Sequence, residues 1–240
     1  MADRPLIAAH RGSTTGAPEN TLAAIRWASD SGADLIETDV RLTADGSLVL
    51  IHDELVNRTT DGLGRVAELT LRDLQALDAG AGERVPTLEE AMGMLAGRPQ
   101  HLLLDVKADD PRVVPRLVDA VAAQGFEDRV LVGVRSLELL ADLRGLAPQL
   151  RILAMVPDTA SLQDFLHHEP DGVRLWARWA EREPGLISAV RNSGAQVWIM
   201  AGQRLPDRLR DLVLQVDGFI TDRPVELREF AEFALDRPRR

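Results

Sequence analysis

The sequence predicts an α/β fold, specifically a (β/α)8 barrel with an extra element after the second strand. Three observations carry that prediction. Short apolar runs recur near positions 6, 35, 102, 130, 152, 172, 197 and 218, which makes eight. They alternate with stretches of helical patterning, and such alternation implies parallel strands joined by helical crossovers. The length, 240 residues, matches the roughly 250 that eight such units need. A doubly wound open sheet is the alternative, because the pattern alone does not show closure.

Taken in order, the first run (6–10) ends in His10-Arg11-Gly12, and 13–17 read as a loop. Pro18-Glu19-Asn20-Thr21 opens a helix to about 31, with Asn20 or Thr21 as its N-cap. Residues 33–53 hold two apolar runs around Thr43-Ala44-Asp45-Gly46, a turn in which Gly46 is free to take positive φ. The run at 48–51 is thus an extra element beside the second strand. A loop with two glycines covers 57–64. Thr70 can cap a helix through about 77, and Thr87 another through about 95. Thr87-Leu88-Glu89-Glu90 has the spacing of a capping box. Strands at 102–106, 130–134, 152–155, 172–175, 197–200 and 218–220 then alternate with helices at 112–124, 137–146, 161–167, 184–192, 206–214 and 224–234. No composition break divides 1–240, so one domain is expected. The basic tail, 236–240, reads as frayed.

Composition narrows the function classes. Hydrophobic residues make up 45% of the chain, enough for one sizeable core. The absence of cysteine excludes a disulfide framework and a thiolate metal site. A net charge of -10 disfavours nucleic acid and anionic membranes as partners. The first apolar run is about five residues, too short for a signal peptide, which needs roughly 7–15. No stretch approaches the roughly 20 apolar residues of a membrane span. The expectation is a cytoplasmic protein.

In a barrel, functional groups sit at the C-terminal ends of the strands. Those ends carry His10-Arg11, Glu37 with Asp39, His52-Asp53, and Asp105 with Lys107. Residues two apart in a strand share a face, so Glu37 and Asp39 point together, as do Asp105 and Lys107. Buried carboxylates on an apolar strand need a cation or donors nearby. Glu37, Asp39 and Asp105 suit a hard, oxygen-preferring cation such as Mg²⁺ or Ca²⁺. His10 and His52 suit general acid and base work near neutral pH. Arg11 and Lys107 supply positive charge for an anionic substrate. Together these fit phosphoryl transfer better than carbonyl chemistry.

Each residue also has a plainer reading. A single strand-end histidine is more often structural than catalytic. Glu37 and Asp39 could lie on a solvated edge or pair Arg11 and Lys107. Asn20 and Thr60 read as cap and turn residues, and Arg58 either binds phosphate or pairs Asp61. His101, His167 and His168 read as surface residues. Trp27, Trp176, Trp179 and Trp198 read as packing, although Trp198 lies in a late strand that could wall a pocket. What favours the functional readings is their joint occurrence at the strand ends of one barrel.

At this level of detail the chain resembles the glycerophosphodiester phosphodiesterases. The motifs are His10-Arg11-Gly12, Pro18-Glu19-Asn20-Thr21, Glu37-Thr38-Asp39-Val40, His52-Asp53, Arg58-Thr59-Thr60 with Gly62, and Asp78-Ala79-Gly80. Val85-Pro86-Thr87-Leu88-Glu89-Glu90, Asp105-Val106-Lys107 and the stretch from Asp217 to Pro224 complete the set. They follow the family's order across nearly the whole chain. The resemblance implies a TIM barrel with a small insertion after the second strand, at about 53–86, and one divalent cation, Mg²⁺ or Ca²⁺, on Glu37, Asp39 and Asp105. It assigns acid-base work to His10 and His52, and phosphate neutralisation to Arg11 and Lys107. It implies hydrolysis of a small glycerophosphodiester to glycerol 3-phosphate and an alcohol, through a cyclic phosphate formed by the glycerol 2-hydroxyl.

Three departures stand out. The third acidic ligand is more often Glu in this family, and here it is Asp105. The insertion looks short, which would leave a more open mouth. The late strand reads Val197-Trp198-Ile199-Met200, with its tryptophan out of the family's register, so no substrate role is carried to Trp198. Two other readings compete: a lysophospholipase-D-like enzyme on the same scaffold and a catalytically silent binding barrel. The polar loops at 13–17 and 57–64 favour a soluble substrate, and the intact set of histidines and carboxylates favours an active enzyme.

Overall fold

A computed structural model describes residues 4–107, 110–206 and 208–236. Nine strands run in chain order: β1 Leu6–Ala9, β2 Leu35–Leu42, β3 Leu48–Leu50, β4 His101–Val106, β5 Val130–Val134, β6 Arg151–Ala154, β7 Gly172–Trp176, β8 Gln196–Gly202 and β9 Gly218–Thr221. All but β3 are parallel, in the order β1-β9-β8-β7-β6-β5-β4-β2, and a further β1–β2 pairing closes the ring. The open-sheet alternative is therefore excluded. β3 pairs antiparallel on β2 through the turn at Gly46, whose φ of 84° is in the region glycine tolerates.

The helices are α1 Leu22–Asp30, α2 Leu71–Gln75, α3 Leu88–Leu95, α4 Val113–Ala123, α5 Leu137–Leu146, α6 Leu162–Leu166, α7 Ala177–Arg182, α8 Gly185–Asn192, α9 Leu209–Val213 and α10 Pro224–Asp236. Capping residues explain several starts. The Thr70 and Thr87 side chains each accept from the N3 backbone N–H, while Asp73 and Glu90 reach back to complete capping boxes. The helix expected at 184–192 is preceded by α7, which the sequence reading had missed. Pro184 separates the two, because proline is tolerated only at a helix start. Of the expected frayed tail, residues 237–240 lie outside the described residues.

The sheet is buried on both faces, so its strands read as continuous apolar runs rather than alternating ones. Outward-facing residues such as Ile7, Ile36 and Leu104 pack under the helices, and a separate inner cluster fills the barrel with Ala8, Leu35, Leu103, Leu131, Leu153, Met155, Trp198 and Ile220. Trp198 is 1% exposed. A Cβ at Gly218 would come within 2.5 Å of its ring, so glycine on β9 makes room for the indole. Trp198 is thus barrel filling, and it does not wall a pocket at the mouth. The segment after β3 packs its own small cluster, which includes Val49, Ile51, Val56, Val66, Leu74 and Val85.

Candidate metal and active site

Strand register assembles the carboxylates. β2 pairs β4 with Glu37 opposite Leu103 and Asp39 opposite Asp105. Glu37, Asp39 and Asp105 are 1%, 1% and 3% exposed, and each offers an oxygen within 4.8 Å of the others. The solvated-edge reading of this pair therefore fails. Asp39 does face Lys107, with Nζ 3.1 Å from Oδ1, and Arg11, with Nε 3.4 Å from Oδ2. The Lys107 ammonium also donates to Asp105 Oδ2 at 2.6 Å.

A strained connection from β1 completes the cradle. Arg11 and Asn20 both have positive φ, 53° and 58°, a conformation that costs non-glycine residues energy and clusters at functional sites. It turns the Arg11 N–H onto Glu37 Oε2 at 2.7 Å, while the Asn20 N–H donates to the Arg11 carbonyl at 3.0 Å. The Asn20 amide donates to Asp39 Oδ2 at 2.8 Å and accepts from the Asp39 N–H at 3.0 Å. Asn20 is therefore a clamp on Asp39 rather than a cap; Thr21 caps α1, accepting from the Ala24 N–H. Gly12 must be glycine, since its φ is 72° and a Cβ would sit 2.8 Å from the Ala24 carbonyl carbon.

Both histidines stand at this mouth, and each ring is oriented by an aspartate. His10 Nδ1 lies 2.9 Å from Asp222 Oδ1 at the end of β9, and Thr14 donates to the same oxygen at 3.0 Å. His52 Nδ1 lies 2.6 Å from Asp53 Oδ1. A carboxylate on Nδ1 favours the tautomer that leaves Nε2 free. Arg41 fixes the loop ends, donating to the carbonyls of His52 at 2.9 Å and Lys107 at 3.3 Å. Arg58 pairs Glu19 and Asp53, not Asp61, and Glu19 also takes Arg11 at 2.8 Å. Thr60 donates to the Val56 carbonyl as a turn residue.

The electrostatics split like groups apart. Burial, then the neighbouring Asp39, pushes the Glu37 carboxyl up to about 7. Burial would raise Asp105 as well, but Lys107 and Arg135 outweigh it and hold it below the usual range. Burial disfavours a charged His10, yet the bond to Asp222 and the nearby Glu37 overcome this and raise its pKa. At His52, burial wins and lowers the pKa against the pull of Asp39 and Asp53.

Sequence reasoning missed several residues of this mouth. Asp222 lies in the stretch from Asp217 to Pro224, where the sequence alone assigns it no role. Arg135 follows the β5 run directly, so its strand-end position was a usable signal. It forks onto Asp105, with Nε 2.9 Å from Oδ1 and Nη2 on Oδ2. The shorter side chain at position 105 thus meets a guanidinium that occupies both oxygens. Arg174 interrupts the apolar run of β7, and a charge inside such a run is itself a signal. Of the remaining histidines, His101 starts β4 at the opposite end of the barrel, beside Arg151, and His167 and His168 are exposed.

The cluster fits a cation on one local observation. Asp39 Oδ1 is buried and takes no hydrogen bond among the described residues; the Lys107 ammonium stands 3.1 Å away without donating to it, and three buried carboxylates with oxygens within 4.8 Å of one another favour a further positive charge between them. Glu37, Asp39 and Asp105 are the residues that would hold the ion.

Comparison with known proteins gives the family and the fold. The sequence profile described as the Glycerophosphoryl diester phosphodiesterase family matches residues 10–226. A glycerophosphodiester phosphodiesterase of Caldanaerobacter subterraneus subsp. tengcongensis is 34% identical over 234 residues, covering 93% of this chain and 96% of its own. The crystal structure of a glycerophosphodiester phosphodiesterase from Agrobacterium tumefaciens superposes with a TM-score of 0.80 at 32% identity, over 95% of this chain and 99% of the other. A phosphodiesterase of Oleispira antarctica, solved with its product sn-glycerol-3-phosphate, gives 0.82 at 25% identity over 98% of both chains.

Proposed function

We propose a reaction for this chain from one premise: it belongs to the glycerophosphoryl diester phosphodiesterase family. The reading is that it cleaves small glycerophosphodiesters to glycerol 3-phosphate and an alcohol. The observation that carries it is the triad of buried carboxylates, with oxygens within 4.8 Å of one another, beside two aspartate-oriented imidazoles. Residues 1–240 are read as one barrel domain, with the short insertion at about 53–86 bordering the site.

A divalent cation, Mg²⁺ or Ca²⁺, on Glu37, Asp39 and Asp105 would supply Lewis-acid stabilisation of charge on the phosphoryl oxygens. Arg11 and Lys107 add fixed positive charge beside the same carboxylates, where a single-charged diester phosphate would be held. The glycerol 2-hydroxyl attacks phosphorus, the P–O bond to the alcohol breaks, and a cyclic phosphate forms. Water then opens the ring to glycerol 3-phosphate. Both half-steps need one group to accept a proton and another to donate one. The divergent pKa directions of His10 and His52 provide that pairing. Asp222 and Asp53 keep each ring turned so that Nε2 faces the reaction.

The test is release of glycerol 3-phosphate from glycerophosphocholine and glycerophosphoethanolamine, first with EDTA and then with Mg²⁺ or Ca²⁺ restored. Metal-dependent release supports the reading, and a transient cyclic phosphate seen by ³¹P NMR supports the two-step route. No release with any ion, from folded protein, would sink it in favour of a lysolipid substrate or a binding role.

A further inference from the structure

The wall of the mouth contributed by β7 carries positive charge that the reaction above does not use. Gly172, Arg174 and Trp176 share the inward face of β7: a Cβ at Gly172 would touch Leu153 and Trp198, both inside the barrel. Arg174 is 2% exposed, and arginine is almost never buried so far without a partner. Its Nε and Nη1 are buried with no hydrogen-bond partner among the described residues. Its guanidinium lies 4.7 Å from the centre of the Trp176 ring, two residues nearer the mouth. Exposed Arg178, in the first turn of α7, lies 5.1 Å from the same ring.

Neither arginine has a carboxylate within ion-pair distance among the described residues; Arg135, the third cation on this side, is committed to Asp105. Burial, then Arg135, draws the Arg174 pKa down to about 10, which still leaves it charged at neutral pH. Two like charges on one aromatic plate repel each other, and buried donors without acceptors are costly. An anion would relieve both. The diester phosphate has its own cations in Arg11 and Lys107, on the carboxylate side.

We propose that Arg174, Arg178 and Trp176 form a subsite for an anionic substituent on the alcohol half of the diester, a phosphate or carboxylate of its own. The inference rests on the phosphodiesterase reading and adds its substrate class. A cationic alcohol such as choline would meet two arginines there and be disfavoured. The test measures kcat and KM for glycerophosphoinositol 4-phosphate, glycerophosphoinositol and glycerophosphocholine, with wild-type protein and with Arg178→Glu. The first pair differs by one phosphate. The expected result is a kcat/KM about tenfold higher for the phosphorylated substrate, carried by KM, with glycerophosphocholine lowest. Arg178→Glu, a change on an exposed residue, should erase that preference and improve glycerophosphocholine. Arg174→Lys should raise KM for the phosphorylated substrate more than for its parent, since a point charge replaces a fork. Equal kcat/KM on the inositol pair, or a preference unchanged in Arg178→Glu, would overturn the subsite and leave the phosphodiesterase reading standing. No glycerol 3-phosphate from any of the three would overturn that reading and the subsite with it.

Discussion

The two ends of the barrel are both lined with charge, and they use it in opposite ways. At the N-terminal end, aspartates that precede strands are fully engaged. Asp34 takes both terminal nitrogens of Arg4 at 2.6 and 2.8 Å, the Ile7 N–H at 2.9 Å and Arg228 at 3.2 Å. Asp171 and Asp217 likewise accept the Ile152 and Val197 N–H groups, at 2.8 and 2.7 Å. At the C-terminal end, three carboxylates crowd together, one oxygen lacks a hydrogen bond and two residues hold positive φ. Asp34 and Glu37 are three positions apart yet shift in opposite directions. Burial opposes Asp34, but Arg4 and the Ile7 N–H outweigh it and lower its pKa, whereas Glu37 is pushed up to about 7. A cavity of about 470 Å³ opens at the N-terminal end, lined by Asp34, His101, Arg151 and Trp198 among others. That cavity lies at the end whose charges are matched, whereas the crowded carboxylates lie at the other.

The largest effect that would sharpen this contrast is on catalysis. His10→Ala and His52→Ala should each lower kcat by about 10²–10⁴-fold with little change in Tm, whereas Asp34→Asn should leave kcat nearly unchanged. A fully active His10→Ala protein would break the assignment.

Glu37→Gln should abolish activity and yet stabilise the metal-free protein at pH 8 by about 1–3 kcal/mol. The sign follows from linkage. A carboxyl raised from its ordinary 4.5 to about 7 binds a proton on folding between those values. Its penalty is therefore absent below about pH 4 and complete above about 7. Urea unfolding of both proteins across pH 4–8 measures this, and a destabilised Gln variant at pH 8 would contradict it.

Asp34→Asn should do the reverse, costing about 1–2 kcal/mol at neutral pH. Its folded pKa is lowered, so that contribution is present above the unfolded value and fades as pH falls through the folded one. The gap between wild type and variant should close below about pH 4. Arg135→Gln should free Asp105 and tighten Ca²⁺ binding by a few-fold to about tenfold, since one competing charge is removed; calorimetric titration reads it. The smallest effect expected is Thr87→Ala, which removes a cap far from the chemistry. It should cost about 1 kcal/mol of stability, seen as a lower Tm with unchanged KM.

The fold was legible because a closed parallel barrel writes itself as apolar runs at regular spacing, and each run became a strand. The carboxylates were legible because i, i+2 spacing fixes a shared face, as at Glu37 and Asp39. What the sequence hid were contacts between distant elements. Nothing near Asn20 says that its amide will clamp Asp39, nor near His10 that Asp222, more than two hundred residues on, will orient it. Arg174 was visible as a charge inside β7, but only the closed barrel places it beside Trp176 and opposite the acidic strands.

The most direct test is calorimetric titration of the chelator-treated protein with Ca²⁺ and with Mg²⁺, in wild type and in Asp39→Asn. Asp39 stands within 4.8 Å of both other carboxylates, and its Oδ1 takes no hydrogen bond among the described residues. The account predicts one bound ion per chain in wild type, lost in Asp39→Asn while the variant keeps its circular dichroism spectrum. Binding of equal strength in both proteins, or none in a folded wild type, would contradict the claim that this end of the barrel is built around a cation.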